Sequence, residues 1–346
     1  MPSQGVPTVQ RQNDRRVGIT GTIPIEVLYA AARRPVDLNN VFITGPCMED
    51  IRTAESAGFP INCCAWIKGI YGAAHRLGLR RIIGVAQGDC SNTHALLEVW
   101  KSEGLDVHEF EYPVPPNRAR LEAELDRFCA AWGTTRAAAE HMRLRLDRVR
   151  DLLREIDDLT WRTGQITGAE NHLWLVGASD FAGDPDDYEA RASAFLQEAR
   201  RRPPRQARIR LGCIGIPPIC QGLHEFLESA GAPVVFNEFQ RQFAMLPRTA
   251  SLVEQYLGYT YPYGTAMRIA DMNQAVAARR IDGLVHYVQS FCFRHIQDRL
   301  IREGVPVPVM TLEYDRPGRL DGRSRTRLEA FLELLEGRRS ASATNA

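Results

Sequence analysis

Short apolar runs alternate with helical patterns along most of the chain. Continuous apolar stretches bounded by turn residues predict buried strands. They lie at residues 81–86, 107–112, 209–214, 283–288 and 307–312. Between them, apolar residues recur at helical spacing in stretches that end on glycine, as at residues 65–77 before Gly78. Strands that alternate with helices in this way predict parallel α/β sheets.

The pattern changes in the middle of the chain. Residues 118–162 are rich in Arg, Glu, Leu and Ala at helical spacing, and strand-like runs resume after Pro203-Pro204. We therefore expect two Rossmann- or flavodoxin-like lobes with parallel sheets, joined by a helical segment. The predicted divisions are a first lobe at 17–117, a helical linking region at 118–206, a second lobe at 207–337 and a disordered tail at 338–346.

Two finer predictions concern single elements. The run Val41-Phe42-Ile43 indicates a short extended segment that ends before Gly45. Residues 219–230 indicate a helix that ends at Gly231.

Composition and charge narrow the classes of function. The chain has 346 residues, 44% hydrophobic and 25% charged, with a formal net charge of +1. The composition is typical of a globular protein. The net charge is too small to attract nucleic acid or an anionic membrane. No apolar run reaches membrane-spanning length, and no signal-like core is present. We expect a cytoplasmic protein without nucleic-acid or membrane partners.

Three of the eight cysteines lie where a helix is predicted to start. Cys64 precedes an apolar helical run, Cys90 follows a strand that breaks at Gly88, and Cys292 follows a strand in the second half. A helix start favours the thiolate, which is the metal-binding form. Ligands of parallel sheets bind beyond the carboxyl ends of strands, so a cleft between the lobes could gather the three. Spacing alone still favours buried thiols over ligands.

The residues around these cysteines resemble a known family. Segment 64–72, Cys-Ala-Trp-Ile-Lys-Gly-Ile-Tyr-Gly, resembles the first cluster-binding segment of the 2-hydroxyacyl-CoA dehydratase D-component family. That family includes 2-hydroxyglutaryl-CoA dehydratase and benzoyl-CoA reductase subunits. Segments 88–92 and 282–292 are similar to its second and third cysteine segments. Residues 24–36, 305–315 and 326–331 resemble its N-terminal and C-terminal signatures.

The resemblance implies a 4Fe-4S cluster held by Cys64, Cys90 and Cys292, with one iron left open. In the family's dehydratases, the thioester carbonyl of an acyl-CoA binds at that iron. A separate ATP-hydrolysing iron–sulfur activator supplies one electron, and the ketyl radical anion formed from the substrate expels its hydroxyl group. The implied function is a radical lyase of anaerobic metabolism, or an ATP-dependent reductase component, in a homo- or hetero-oligomer.

Other interpretations remain open from the sequence. A non-catalytic 4Fe-4S electron-transfer or cluster-carrying protein would share the cysteines, and a cluster-free binding module would share the fold. Cys63, Cys47 or Cys213 could also bind the cluster. Of the two adjacent cysteines, Cys64 is the one followed by residues that match the family's segment. Cys129 lies in a helical run and is interpreted as a buried hydrophobic residue.

Two residues are candidates for acid–base catalysis. Glu26 lies early in a helix predicted at residues 24–32, where its charge could instead complement the helix dipole. His286 lies inside an apolar strand, where a hydrogen-bonded core histidine is the alternative. Lys68 could pair with an anionic ligand or lie on the surface.

Overall fold

Two four-stranded parallel sheets form the framework of the protein, seen in a computed structural model. The structure describes residues 15–344, with the side chains of 342–344 left out. The chain divides into two compact units. The first comprises the described residues up to Val149, together with Ser179–Tyr188 and Pro247–Tyr263. The second comprises Arg150–Ala178, Glu189–Leu246 and the described residues from Gly264 onward.

The sheet of the first unit is built from buried apolar strands. Its strands are β1 (Arg16–Ile19), β2 (Arg34–Asp37), β3 (Arg81–Gln87) and β4 (Asp106–Glu111). They pair in the order β2-β1-β3-β4, all parallel. Ile82 and Ile83 in β3 are fully buried, which explains why a continuous apolar run, and not an alternating one, marked this strand.

The sheet of the second unit repeats the same order. Its strands are β5 (Leu211–Gly215), β7 (Val234–Asn237), β8 (Gly283–Gln289) and β9 (Val309–Tyr314). They pair as β7-β5-β8-β9, again all parallel. A separate parallel pair joins β6 (Cys220–Gln221) to β10 (Gly318–Arg319). The predicted α/β class with two parallel, Rossmann-like sheets is therefore confirmed.

Helices connect the strands. In chain order they are α1 (Ile25–Ala30), α2 (Leu38–Thr44), α3 (Cys47–Ser56), α4 (Ala65–Arg76), α5 (Ser91–Ser102), α6 (Arg118–Ala131), α7 (Arg136–Asp158), α8 (Gly168–Gly177), α9 (Pro185–Ala199), α10 (Leu223–Ser229), α11 (Glu238–Phe243), α12 (Leu252–Leu257), α13 (Thr265–Arg279), α14 (Asp298–Gly304) and α15 (Gly322–Thr344). Short 3-10 helices occupy Phe181–Gly183, Tyr261–Tyr263 and Phe293–Gln297, and a π-helix occupies Leu159–Thr163. Within residues 15–344, no helix has the length and apolar character needed to cross a membrane.

Three local predictions differ from the structure. Val41-Phe42-Ile43 is helical, within α2, because Asp37 caps that helix by accepting a hydrogen bond from the Asn39 amide at 2.9 Å. The helix predicted from residue 219 starts only at Leu223, after β6 and a left-handed turn at Gly222 with φ of 89°. The predicted tail is helical through Thr344, since α15 continues into it, and residues 345 and 346 lie outside the described residues.

The strand order places a topological switch point in each sheet. Each order reverses between the first and third strands of its unit, which are β1 and β3 in one sheet and β5 and β8 in the other. Ligands of open parallel sheets bind beyond the carboxyl ends of the strands at such points. The segments to inspect for function are therefore those that follow these four strands.

Candidate functional site

Cys64 is the residue immediately before helix α4. It has extended backbone torsions, φ −51° and ψ 125°, and its carbonyl accepts the Lys68 amide at 3.3 Å. No side chain caps the start of this helix, so its first amide groups lack a side-chain partner. Cys64 itself is 7% exposed. The predicted position of Cys64 at a helix start is confirmed.

Two residues that follow Cys64, Lys68 and Gly72, have specific packing roles. The Lys68 side chain is buried, and its Nζ donates to Glu55 at 2.8 Å and to the Ile61 carbonyl at 2.9 Å. Lys68 therefore fixes the segment that leads into Cys64 and does not lie on the surface. A Cβ on Gly72 would lie 2.1 Å from the Asp50 carbonyl oxygen, so only glycine allows α4 to pack this closely against α3.

Cys90 immediately precedes α5, three residues beyond the end of β3. The turn requires Gly88, whose φ is 102° and whose Cβ position is 2.7 Å from Pro262. Asp89 accepts the Cys90 amide through Oδ1 at 2.8 Å and the Thr93 hydroxyl through Oδ2 at 3.1 Å. The Cys90 Sγ lies 3.6 Å from Thr93 Oγ1. Burial, and then the charge of Asp89, raise the pKa of the Cys90 thiol, so a metal that binds there must displace a proton.

Cys292 occupies the matching position in the second unit. It lies three residues beyond the end of β8 and immediately before the 3-10 helix Phe293–Gln297. The turn before it places Phe291 in the left-handed region, with φ of 64°. Its amide donates to the Gln289 carbonyl at 3.1 Å.

Cys90 and Cys292 are therefore equivalent within their own units. Each follows the third strand of a sheet with the same strand order, and each is reached by the pattern Gln-x-x-Cys, from Gln87 and from Gln289. Both lie at the switch point of their sheet, where ligands bind in this class of fold. Sequence spacing placed both cysteines after a strand, but it did not reveal that the two strands are topologically equivalent.

The donor set suits a soft metal centre. Each of the three cysteines precedes a helix, and none takes part in a disulfide. Thiolates at helix starts are suitable ligands for iron–sulfur clusters. In the part of the chain that the structure describes, no three His, Cys, Asp or Glu side chains form a group that could hold a metal ion. Ligation by Cys64, Cys90 and Cys292 therefore stays a prediction.

The other cysteines differ in environment. Cys213 and Cys220 are buried, and burial raises the pKa of each thiol to about 12. Cys129 is buried in α6, where burial also raises its pKa. The Cys47 Sγ donates to the Phe42 carbonyl at 3.0 Å. Cys63, beside Cys64, is half-buried, as is Cys47.

Glu26 lies in the first turn of α1 and is fully buried. Its carboxylate accepts the side-chain amide of Gln255 at 2.8 Å and contacts the Tyr256 hydroxyl at 2.8 Å. Both partners belong to α12, a short helix that the sequence did not predict. The acid–base role of Glu26 stays a prediction, and these contacts define what a substitution would disturb.

His286 is fully buried in the middle of β8. Its Nδ1 lies 2.7 Å from Asp298 Oδ1, whereas its Nε2 has no hydrogen-bond partner. Burial lowers the pKa of His286 despite the hydrogen bond with Asp298. Burial opposes ionisation of Asp298, but hydrogen bonds from His286, Thr311 and Arg302 hold the pKa of this carboxyl below its ordinary value. A neutral imidazole that donates to a carboxylate is the state these contacts favour.

Comparison with known proteins assigns the family. Residues 20–335 match the family described as 2-hydroxyglutaryl-CoA dehydratase, D-component. This range contains all three cysteines and every strand of the two four-stranded sheets except β1. A comparison with curated protein sequences found no match. The match over most of the chain confirms the resemblance seen in the cysteine segments. The chain belongs to the 2-hydroxyglutaryl-CoA dehydratase D-component family.

Proposed function

We propose that this protein is the iron–sulfur component of an enzyme that acts on an acyl-CoA, either a 2-hydroxyacyl-CoA dehydratase-like lyase or an ATP-dependent reductase. The family match over residues 20–335 carries this proposal, because members of the family are dehydratase components. The local structure supports it, because Cys90 and Cys292 follow equivalent strands at the two switch points.

We propose Cys64, Cys90 and Cys292 as the ligands of a 4Fe-4S cluster. When bound, a cluster with three protein thiolates supplies a one-electron donor and an iron that can act as a Lewis acid toward a carbonyl oxygen. The chain itself contributes amide groups at the starts of α4 and α5, where no side-chain cap competes for them. Such groups can stabilise the negative charge of a thiolate once a metal has displaced its proton.

We propose Glu26 and His286 as the residues to test for proton transfer. Glu26 follows the carboxyl end of β1 at the first switch point, and His286 is held in one orientation by Asp298. Both are buried, so any transfer they perform takes place away from bulk water. A catalytic role requires that Glu26→Gln or His286→Gln lowers turnover while the metal content is kept.

The family also suggests the partners. We expect an acyl-CoA substrate, a separate ATP-hydrolysing iron–sulfur activator and a homo- or hetero-oligomeric assembly, all in the cytoplasm. The radical chemistry of the family requires anaerobic conditions, because reduced clusters and substrate radicals react with oxygen.

The test combines spectroscopy with turnover. The protein is purified anaerobically, its iron and sulfide are measured, and EPR spectra are recorded with and without a panel of acyl-CoA thioesters. The proposal predicts that a thioester shifts the cluster signal and is converted when a competent activator and ATP are present. An unchanged spectrum and no product across the panel would exclude the acyl-CoA activity.

One observation favours a second candidate, a cluster carrier without catalysis. Cys63 is half-buried and adjacent to Cys64, so it could supply a fourth thiolate and leave no open iron. A carrier would cycle reversibly between redox states with no response to thioesters. Cys63→Ser separates the two, since it leaves the EPR spectrum of the enzyme unchanged and alters that of a four-thiolate carrier.

A further inference from the structure

A buried ion pair lies in the second unit between helices α11 and α13. Arg268 and Glu238 are both fully buried. Their side chains form a two-point contact, with Nε to Oε1 at 2.7 Å and Nη2 to Oε2 at 2.9 Å. Such a pair is weak evidence for stability, because removing two charges from water costs about as much as their attraction returns. A role in fixing local geometry is therefore worth examining.

The pair contacts the end of β5 and the segment that follows β8, and these are the two strands at the switch point of the second sheet. Arg268 uses its remaining Nη1 to donate to Gln297 Oε1 at 2.7 Å. Glu238 Oε2 also accepts the amide of Gly215, the last residue of β5, at 2.8 Å. Gln297 is the last residue of the 3-10 helix that begins directly after Cys292. One buried cation thus joins the segment after Cys292 to the end of the neighbouring strand.

The segment that carries Cys292 is fixed at its other end as well. The side chain of Gln289 donates to the Asp315 carbonyl, and the Ser290 amide donates to the Tyr314 carbonyl at 2.9 Å. Between these anchors, Phe291 has a φ of 64°, a conformation that costs energy for a bulky residue. Strained backbone of this kind persists only where the surrounding structure holds it.

The second unit contains a matched ion pair that can serve as a control. Arg279 lies on the same helix, α13, and contacts Asp157 through two bonds at 2.9 and 2.6 Å. It also donates to the Val235 carbonyl at 2.7 Å. Its bonds therefore reach α7 and β7, and its substitution disturbs a buried pair of the same kind at a different place.

We propose that Arg268 is a positioning residue for Cys292. With Glu238 and Gln297 it holds the segment 289–298 in the single conformation that a metal-bound thiolate needs. Ligands that are fixed before the metal arrives bind it more tightly and in a more defined geometry. This inference rests on the proposed function, because it takes Cys292 as a ligand.

The first test uses the metal-free, full-length protein. Gln297→Ala removes the bond to the 3-10 helix and leaves the Arg268–Glu238 pair intact. We expect hydrogen exchange of residues 289–298, and alkylation of Cys292, to become about fivefold faster, the effect of losing about 1 kcal/mol of local restraint. Unchanged rates would overturn the proposal.

The second test compares two equivalent substitutions. Arg268→Lys keeps the charge, but a single ammonium cannot reproduce the fork that joins Glu238 to Gln297. Arg279→Lys makes the same change in the matched pair. We expect both to lower the melting temperature, whereas only Arg268→Lys broadens or shifts the EPR signal of the reconstituted cluster. Equal spectra for the two variants would contradict the role of Arg268.

The outcomes separate this inference from the proposed function. A wild-type protein that binds no cluster would contradict the proposed function, whatever the exchange rates show. A wild-type protein with a cluster that responds to thioesters, but with unchanged exchange in Gln297→Ala and identical spectra in the Arg268 and Arg279 variants, would contradict only the positioning role.

Discussion

At the scale of single residues, buried charges explain much of the sequence around the candidate site. Lys68 and Arg268 each hold a segment next to a predicted ligand, Lys68 through the Ile61 carbonyl and Arg268 through Gln297. Both cations are paired with a glutamate, Glu55 or Glu238. Long-range pairs of this kind have no periodic signal, so the sequence left Lys68 as either a surface residue or a contact for a ligand.

The Lys68 contacts lead to a stability prediction. Lys68→Met removes a cation whose side chain is 2% exposed, together with its bonds to Glu55 and to the Ile61 carbonyl. We expect a loss of about 2 kcal/mol in the free energy of unfolding, because the variant loses two hydrogen bonds that a buried charged group makes. The measurement is urea unfolding of the metal-free protein.

Lys101 provides the control for that prediction. It pairs with Glu109 on the surface, where its side chain is 49% exposed. Lys101→Met should change the unfolding free energy by less than about 1 kcal/mol. A Lys68→Met variant no less stable than Lys101→Met would show that the buried pair does not fix the segment before Cys64.

At the scale of elements, a pair of carboxyl groups joins β2 to the 3-10 helix Phe181–Gly183. Asp180 accepts the Asp37 amide through Oδ2 at 2.7 Å and the Ala182 amide through Oδ1 at 2.9 Å. Asp37 accepts the Ser179 hydroxyl at 2.5 Å. Burial, and then the charge of Asp37, raise the pKa of Asp180 to about 7, and burial also raises the pKa of Asp37.

The raised pKa predicts a dependence of stability on pH. An aspartate of the unfolded chain ionises near pH ~3.9, whereas Asp180 keeps its proton in the folded state until about pH 7. Its contribution to stability is therefore complete below about pH 4, falls as the pH rises and is lost above about pH 7. Between about pH 5.5 and 7.5 we expect the free energy of unfolding to fall by about 2 kcal/mol from this group.

Asp180→Asn isolates that contribution. The variant cannot ionise at this position, so the wild-type protein should lose more stability than the variant over the same pH range, whatever their absolute stabilities. Urea unfolding at several pH values measures the two slopes. Parallel slopes would show that Asp180 does not hold a proton in the folded state.

Some helices and strands were predicted correctly from the sequence, and others were not. Continuous apolar runs predicted strands such as β3 and β8, and glycine stops predicted the ends of helices such as α4. The extended segment predicted at Val41–Ile43 was wrong, because a capping aspartate outweighs the β-branched residues there. Helix α12, which has six residues, was not predicted from the sequence.

At the scale of the whole molecule, the two four-stranded sheets share one strand order. The order β2-β1-β3-β4 recurs as β7-β5-β8-β9, and the third strand of each sheet leads through Gln-x-x-Cys to a cysteine before a helix. The sequence alone predicted these cysteines as candidates. It could not predict the partners of Glu26, which lie 229 and 230 residues further along the chain.

We propose above that Cys64, Cys90 and Cys292 hold a 4Fe-4S cluster. Iron and sulfide analysis with EPR, on anaerobically purified single Cys→Ala variants, tests it most directly. Cys129→Ala is the control, because Cys129 is buried in α6. We expect four irons and four sulfides per chain for the wild-type protein and Cys129→Ala, and loss of iron or of the native signal in the other three variants. A full cluster with an unchanged spectrum in Cys64→Ala, Cys90→Ala or Cys292→Ala would contradict it.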